Sequence, residues 1–176
     1  MRLGIDERGV TELVGIAEAV SGLNKVAFGL MLDESDGAAP LLPYPADEEI
    51  AEQARAALED IAEVEARRLG RDGIPSIWRL LARNRHYIVA AWEKYHVLFD
   101  GPGLEPSAKL AVGLGVSVTN GCRYFIRYYH DALKHAGWGD GEVLEIFGVV
   151  DFYNSFNTLA TGMQIESDIR PPTGGE

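Results

Sequence analysis

Lys109-Leu-Ala-Val-Gly-Leu-Gly-Val-Ser-Val-Thr-Asn-Gly-Cys-Arg-Tyr124 carries an apolar segment through a polar joint into the only cysteine of the chain. Pro106 is a favoured first helical residue, so a helix is expected from there to about Val118. Its small residues Ala111, Gly113 and Gly115 let a neighbouring backbone come close. Thr119-Asn120-Gly121 reads as a joint, with Asn120 able to cap the helix that follows. That second helix is expected to bury Cys122, Phe125, Ile126, Tyr129 and Leu133, at spacings of three and four, and to end at Gly137. A thiol in its first turn would sit among unpaired backbone N–H groups at the positive end of the helix, where a thiolate is favoured. The residue one turn on, where a partner would complete Cys-x-x-Cys, is Phe125.

Helical periodicity extends outward in both directions. From Glu48 to Leu69, Ile50, Ala54, Ala57, Leu58, Ile61 and Val64 share a face, with Asp47 as the expected N-cap and Gly70 as the stop. Pro75 opens a short helix with Ile77, Leu80 and Leu81 inward. Another runs from about His86 to Phe99, and a last one from about Gly141 to Met163. Near the start, Val10, Leu13, Val14, Ala17 and Val20 suit an amphipathic helix. Lys25 to Leu32 fits a strand or a helix, and Asp33 to Pro45 reads as a loop. The class is all-α. The expected organisation is residues 1–46 as a helical extension and loop, 47–165 as the main domain and 166–176 as a mobile tail.

The chain has 176 residues, 47% hydrophobic and 24% charged, an ordinary composition for one globular domain. Its net charge of −11 argues against nucleic acid and anionic membranes as partners. The start shows no signal-type apolar core, and no apolar run is long enough for a membrane span, so a cytoplasmic protein is expected. A single cysteine makes no internal disulfide.

The stretch Lys109 to Tyr124 closely resembles the carboxymuconolactone decarboxylase / alkylhydroperoxidase D-like family, which typically reads E-L-x-A-L-A-V-S-x-x-N-x-C-x-Y-C-x-x-x-H here. Ser76-Ile-Trp-Arg-Leu-Leu-Ala-Arg-Asn84 resembles the helix before that motif. Gly141-Glu-Val-Leu-Glu145 and Asn154-Ser-Phe-Asn157 resemble the helix after it. The resemblance spans roughly residues 48 to 165. It implies an alkylhydroperoxidase D-like helical fold and a homo-oligomer. In the peroxidase branch the second cysteine attacks peroxide, the first resolves it, and a glutamate and a histidine relay the proton. Set on this chain, Cys122 matches the resolving cysteine. The attacking cysteine is replaced by Phe125, the glutamate by Leu110 and the histidine by Tyr129. His130 lies one residue late, about 100° around the helix.

The candidate catalytic residues are therefore Cys122, His130 and Tyr129. Tyr124, Phe125, Asn154 and Asn157 are candidate pocket residues, and the alternatives for each are plain core packing or register-setting hydrogen bonds. No metal site is expected: His130 and His135 do not share a face, and Glu93-x-x-His96 has no second copy. No cofactor is expected either. Three functions stay open. One is a family member that has lost two-cysteine peroxidase chemistry but keeps the scaffold and a small-molecule pocket. Another is a peroxiredoxin-type enzyme using Cys122 with an external or intersubunit thiol. The third is a cysteine-independent lactone or keto-acid decarboxylase, for which Arg123 and Arg127 offer a cationic grip. Val20-Ser21-Gly22-Leu23-Asn24 also repeats the frame of Val116 to Asn120, as a decayed copy of the motif would.

Overall fold

The computed structural model describes residues 5–32 and 39–166. Every regular element among them is helical: α1 (Glu7–Gly29), α2 (Glu52–Leu69), α3 (Ser76–Leu81), α4 (Arg85–Asp100), α5 (Pro106–Thr119), α6 (Arg123–His135) and α7 (Asp140–Gly162), with a 3₁₀ turn at Asp47–Glu49. The expected tail beyond Glu166 and residues 33–38 of the expected loop lie outside the described residues.

The pair α5 and α6 is the centre of the molecule, and α1, α2 and α7 pack around it. Close approach is achieved at Gly113, where a Cβ would lie 2.5 Å from the Tyr129 ring. Gly121 makes the turn between the two helices with φ +66, a conformation glycine adopts freely. Aromatic side chains then tie the bundle together. Trp78, Trp92, Tyr95, Phe99, Tyr129, Phe125 and Tyr128 form a continuous series of ring contacts with centroids 4.2 to 6.2 Å apart.

One open reading is closed and two expectations are corrected. Residues 25–29 are helical, continuing α1. The buried face of α1 is rotated: Val10 and Val14 are exposed, while Gly9, Glu12, Ile16, Ala19, Val20, Leu23, Asn24 and Ala27 face inward. The cause is polar. Glu12 reaches the buried Lys109 ammonium, 3.0 Å away, and accepts from the N–H groups of Gly103 and Leu104. Lys109 Nζ also donates to the carbonyls of Leu98 and Gly101. Finally, the caps differ. Asp47 starts the separate 3₁₀ turn, extended Ile50 interrupts, and α2 begins at Glu52 behind Ala51. Asn120 ends α5, and Cys122 itself is the N-cap residue of α6.

The repeated Val-Ser-x-x-Asn frame acquires a physical meaning where α1 crosses α5. Asn24 lies 3.3 Å from Ser117 Oγ, and Asn120 Nδ2 donates to Ser21 Oγ, also at 3.3 Å. Each serine meets the asparagine of the other helix.

Candidate functional site

The four positions that the sequence resemblance sets against the peroxidase machinery are all buried. Cys122 is 4% exposed, and its thiol does not cap α6. Its backbone N–H donates to Ser117 O, which locks the turn between α5 and α6. Phe125 is 2% exposed and makes ring contacts with Tyr124, Tyr128 and Tyr129. Leu110 packs in the core. Tyr129 is fully buried with its hydroxyl 3.1 Å from that of Tyr95.

The helical offset between Tyr129 and His130 separates them in space. Tyr129 points into the core. His130 lines a cavity of about 660 Å³ at the start of α6, with Nδ1 3.2 Å from Asp131 Oδ1. That cavity lies between α6 and the segment from Leu69 to Ser76, and Phe147 of α7 also lines it. Tyr124 lines it too, and its hydroxyl accepts from the Ile77 N–H. The structure thus brings Tyr124 and His130 to one cavity and puts Phe125 and Tyr129 in the core beside it. Asn154 instead donates to Thr119 on α5, and Asn157 is exposed; neither lines the cavity.

A buried polar network behind the cavity wall was missed by the sequence reading. Glu65 on α2 is completely buried. It accepts from Tyr128 Oη at 2.5 Å and from Arg68 Nη1 at 2.7 Å. Arg68 also donates to Tyr128 Oη and lies over the rings of Tyr95 and Phe99. Burial pushes the Glu65 carboxyl above its ordinary value, against the opposing pull of Arg68 and Tyr128. The Tyr128 phenol is pushed well above its usual value, first by burial, so it stays protonated and donates to Glu65. Burial opposes the Arg68 charge, but the oxygens of Tyr128, Tyr95 and Glu65 outweigh it and hold the guanidinium ionised. The sequence did carry a signal. The stripe Ala54, Leu58, Ile61 continues at spacings of four and three onto Glu65 and Arg68, so both charges fall on the core face of α2.

Residues 88–165, from α4 to just beyond α7, match the carboxymuconolactone decarboxylase family. The solved structure of the alkylhydroperoxidase AhpD core from Rhodospirillum rubrum has the same fold: TM-score 0.65, 26% identity, covering 74% of this chain and 96% of that one. The chain thus carries a carboxymuconolactone decarboxylase family segment on an AhpD-like fold. No curated protein matches it significantly.

The matched segment carries Cys122, Phe125, Tyr128, Tyr129 and the arginines of α6, while Glu65 and Arg68 come from outside it. Among the described residues, no three His, Cys, Asp or Glu side chains are grouped to hold a metal ion. No described helix is long and apolar enough to cross a membrane.

Proposed function

We propose that this chain is a family member without two-cysteine peroxidase chemistry, which keeps the helical scaffold as a homo-oligomer and a small-molecule pocket at the start of α6. The observation that carries this reading is Phe125. Peroxide reduction in a dithiol cycle needs one thiolate to attack and a second to resolve. The chain has one cysteine, and the second position holds a buried ring. The flanking acid and histidine positions hold Leu110 and Tyr129, which cannot accept a proton at neutral pH. Burial of Cys122 also argues against a one-cysteine cycle with an external thiol, since reactive thiols sit in accessible electropositive places.

Self-association is supported by α7. Val149, Phe152, Tyr153, Phe156 and Leu159 are exposed on a helix whose only fully buried side chain is Val143. So large an apolar face is unusual on a monomer. The second functional reading, cysteine-independent chemistry on an acidic substrate, is favoured by the arginines of the cavity.

The test is peroxide consumption with dithiothreitol, wild type against Cys122→Ser. Equal, negligible rates are expected. A wild-type rate that disappears in Cys122→Ser overturns the reading. Sedimentation equilibrium of the wild type and of Phe152→Asp/Phe156→Asp tests the oligomer, which the double substitution is expected to dissociate.

A further inference from the structure

We infer that a second cavity, at the start of α5, binds a small carboxylate with an apolar body, seated on the unused edge of the Arg68 guanidinium. This site is separate from the pocket in the reading above, which it neither needs nor supports.

Arg68 is a buried fork with donors to spare. Its side chain is only 10% exposed. Nη1 donates to both Glu65 and Tyr128. Among the described residues no acceptor takes the hydrogens of Nε or Nη2. Nor are those atoms sealed in: Asn24 Nδ2 is the only described side-chain nitrogen or oxygen that is both fully buried and without a partner. The unused edge therefore opens onto the cavity that Arg68 lines, about 770 Å³ between the end of α2, the loop from α4 to α5 and the end of α6. Nε–H and Nη2–H lie side by side, and a carboxylate offers one oxygen to each.

The start of α5 adjoins the same space. Glu105, its N-cap residue, makes no side-chain cap, and Pro106 brings no N–H. Ser107 follows in the cavity wall, so the positive end of a 14-residue helix faces the ligand along with the Arg68 edge. Net charge does not choose the ligand. Arg67 is spent on Glu63 at 2.7 Å and Asp100 on His96 at 3.0 Å, while Glu105 and His135 bring one carboxylate and one imidazole more. The choice comes from donors that lack acceptors, and an ionised carboxylate is acceptor at every polar atom.

Val64, Phe99, Leu104 and Leu110 supply an apolar wall, and the volume falls within the range of small-ligand pockets. Such a wall suits an organic body over a bare inorganic ion. Phe99 also lies under the guanidinium, 5.1 Å from Cζ to the ring centroid, and Glu65 holds the far edge. The fork is thus fixed in direction before a ligand arrives.

The experiment is isothermal titration calorimetry of the full chain at fixed ionic strength with 4-methylpentanoate, 4-methylpentanamide and inorganic phosphate. Saturable binding of the carboxylate is expected, with the amide and phosphate about tenfold weaker or inert. Ser107→Glu puts a carboxylate in the cavity wall, at a first-turn position where acid suits the helix, and should weaken binding about tenfold with thermal stability kept. Gln53→Glu adds the same charge on an exposed part of α2 outside the cavity wall and should leave binding unchanged. Arg68→Lys keeps a cation for Glu65 but loses the fork, and should weaken binding as Ser107→Glu does. If Arg68→Lys does not fold, Ser107→Glu decides alone. The proposal is overturned if the carboxylate shows no saturable binding, if the amide or phosphate binds as tightly, or if Ser107→Glu weakens binding no more than Gln53→Glu. None of these results bears on the peroxide assay.

Discussion

The Phe125 ring stacks on the Tyr129 ring, with 5.9 Å between centroids and 28° between planes. The two positions that the family resemblance aligns with an attacking thiol and its histidine thus meet in one aromatic contact. Restoring the sulfur alone leaves it facing tyrosines. Phe125→Cys is therefore expected to show no dithiol-dependent peroxide turnover, and to lose about 3 kcal/mol of stability by opening a cavity in the core. Adding Leu110→Glu and Tyr129→His to it is expected to raise turnover. Peroxide assays with urea titrations of each variant check both halves, and turnover by Phe125→Cys alone would contradict the account.

Gly113 sets two effects against each other. Alanine in place of glycine inside a helix gains about 1 kcal/mol. Here the added methyl meets the Tyr129 ring at 2.5 Å, and that ring is fully buried with no room to retreat. Overpacking of this kind costs about 1–3 kcal/mol. Gly113→Ala is expected to be net destabilising, and Gly113→Ala/Tyr129→Leu to recover part of the loss. A stabilised single variant in thermal denaturation would mean that α5 and α6 can separate slightly at no cost.

The pairing of Glu12 with Lys109 fixes α1 and the loop before α5 together. Burial opposes the Glu12 charge, yet the Lys109 ammonium and the N–H groups of Gly103 and Leu104 hold its carboxyl below the ordinary value. A carboxyl lowered in this way adds stability above its ordinary value, and that stability is lost as pH falls through the lowered one. Lys109→Met is expected to lower the urea midpoint clearly, because it strands a carboxylate against backbone. Glu12→Leu/Lys109→Met, which removes both charges, is expected to be more stable than Lys109→Met alone.

These buried charges also explain what could be read in advance. The α5–α6 pair was legible because Gly113, Gly121 and the three-and-four spacing of Phe125, Tyr129 and Leu133 all point the same way. The face of α1 was not, because hydrophobicity chose Val10 and Val14 while Glu12 and Asn24 had partners 90 or more residues away. Glu65 and Arg68 were hidden for the same reason. A charge on an apolar stripe reads as solvent-facing until its partner, here Tyr128 across the bundle, is known. The cavity was barely legible: of the pocket candidates only Tyr124 lines it, His130 had been named for catalysis instead, Phe125, Asn154 and Asn157 lie elsewhere, and Arg71 joins only through the fold.

Glu65 is expected to bend the pH dependence of stability in the direction opposite to Glu12. Its carboxyl is raised in the folded protein, first by burial. The folded state therefore takes up a proton at a pH where the unfolded chain does not yet. Stability from this group is fully present below the ordinary carboxyl value and is lost as pH rises through the raised one. Glu65→Gln keeps the shape and some hydrogen bonding but cannot titrate. The difference in unfolding free energy, wild type minus Glu65→Gln, is expected to grow as pH falls from 7 toward the ordinary glutamate value, and to level off below it. Taking the difference cancels the other carboxylates, including Glu12. Urea denaturation of both proteins at several pH values measures it. A difference that shrinks on acidification would show that Arg68 and Tyr128 outweigh burial, and that Glu65 is held as a carboxylate behind the cavity wall.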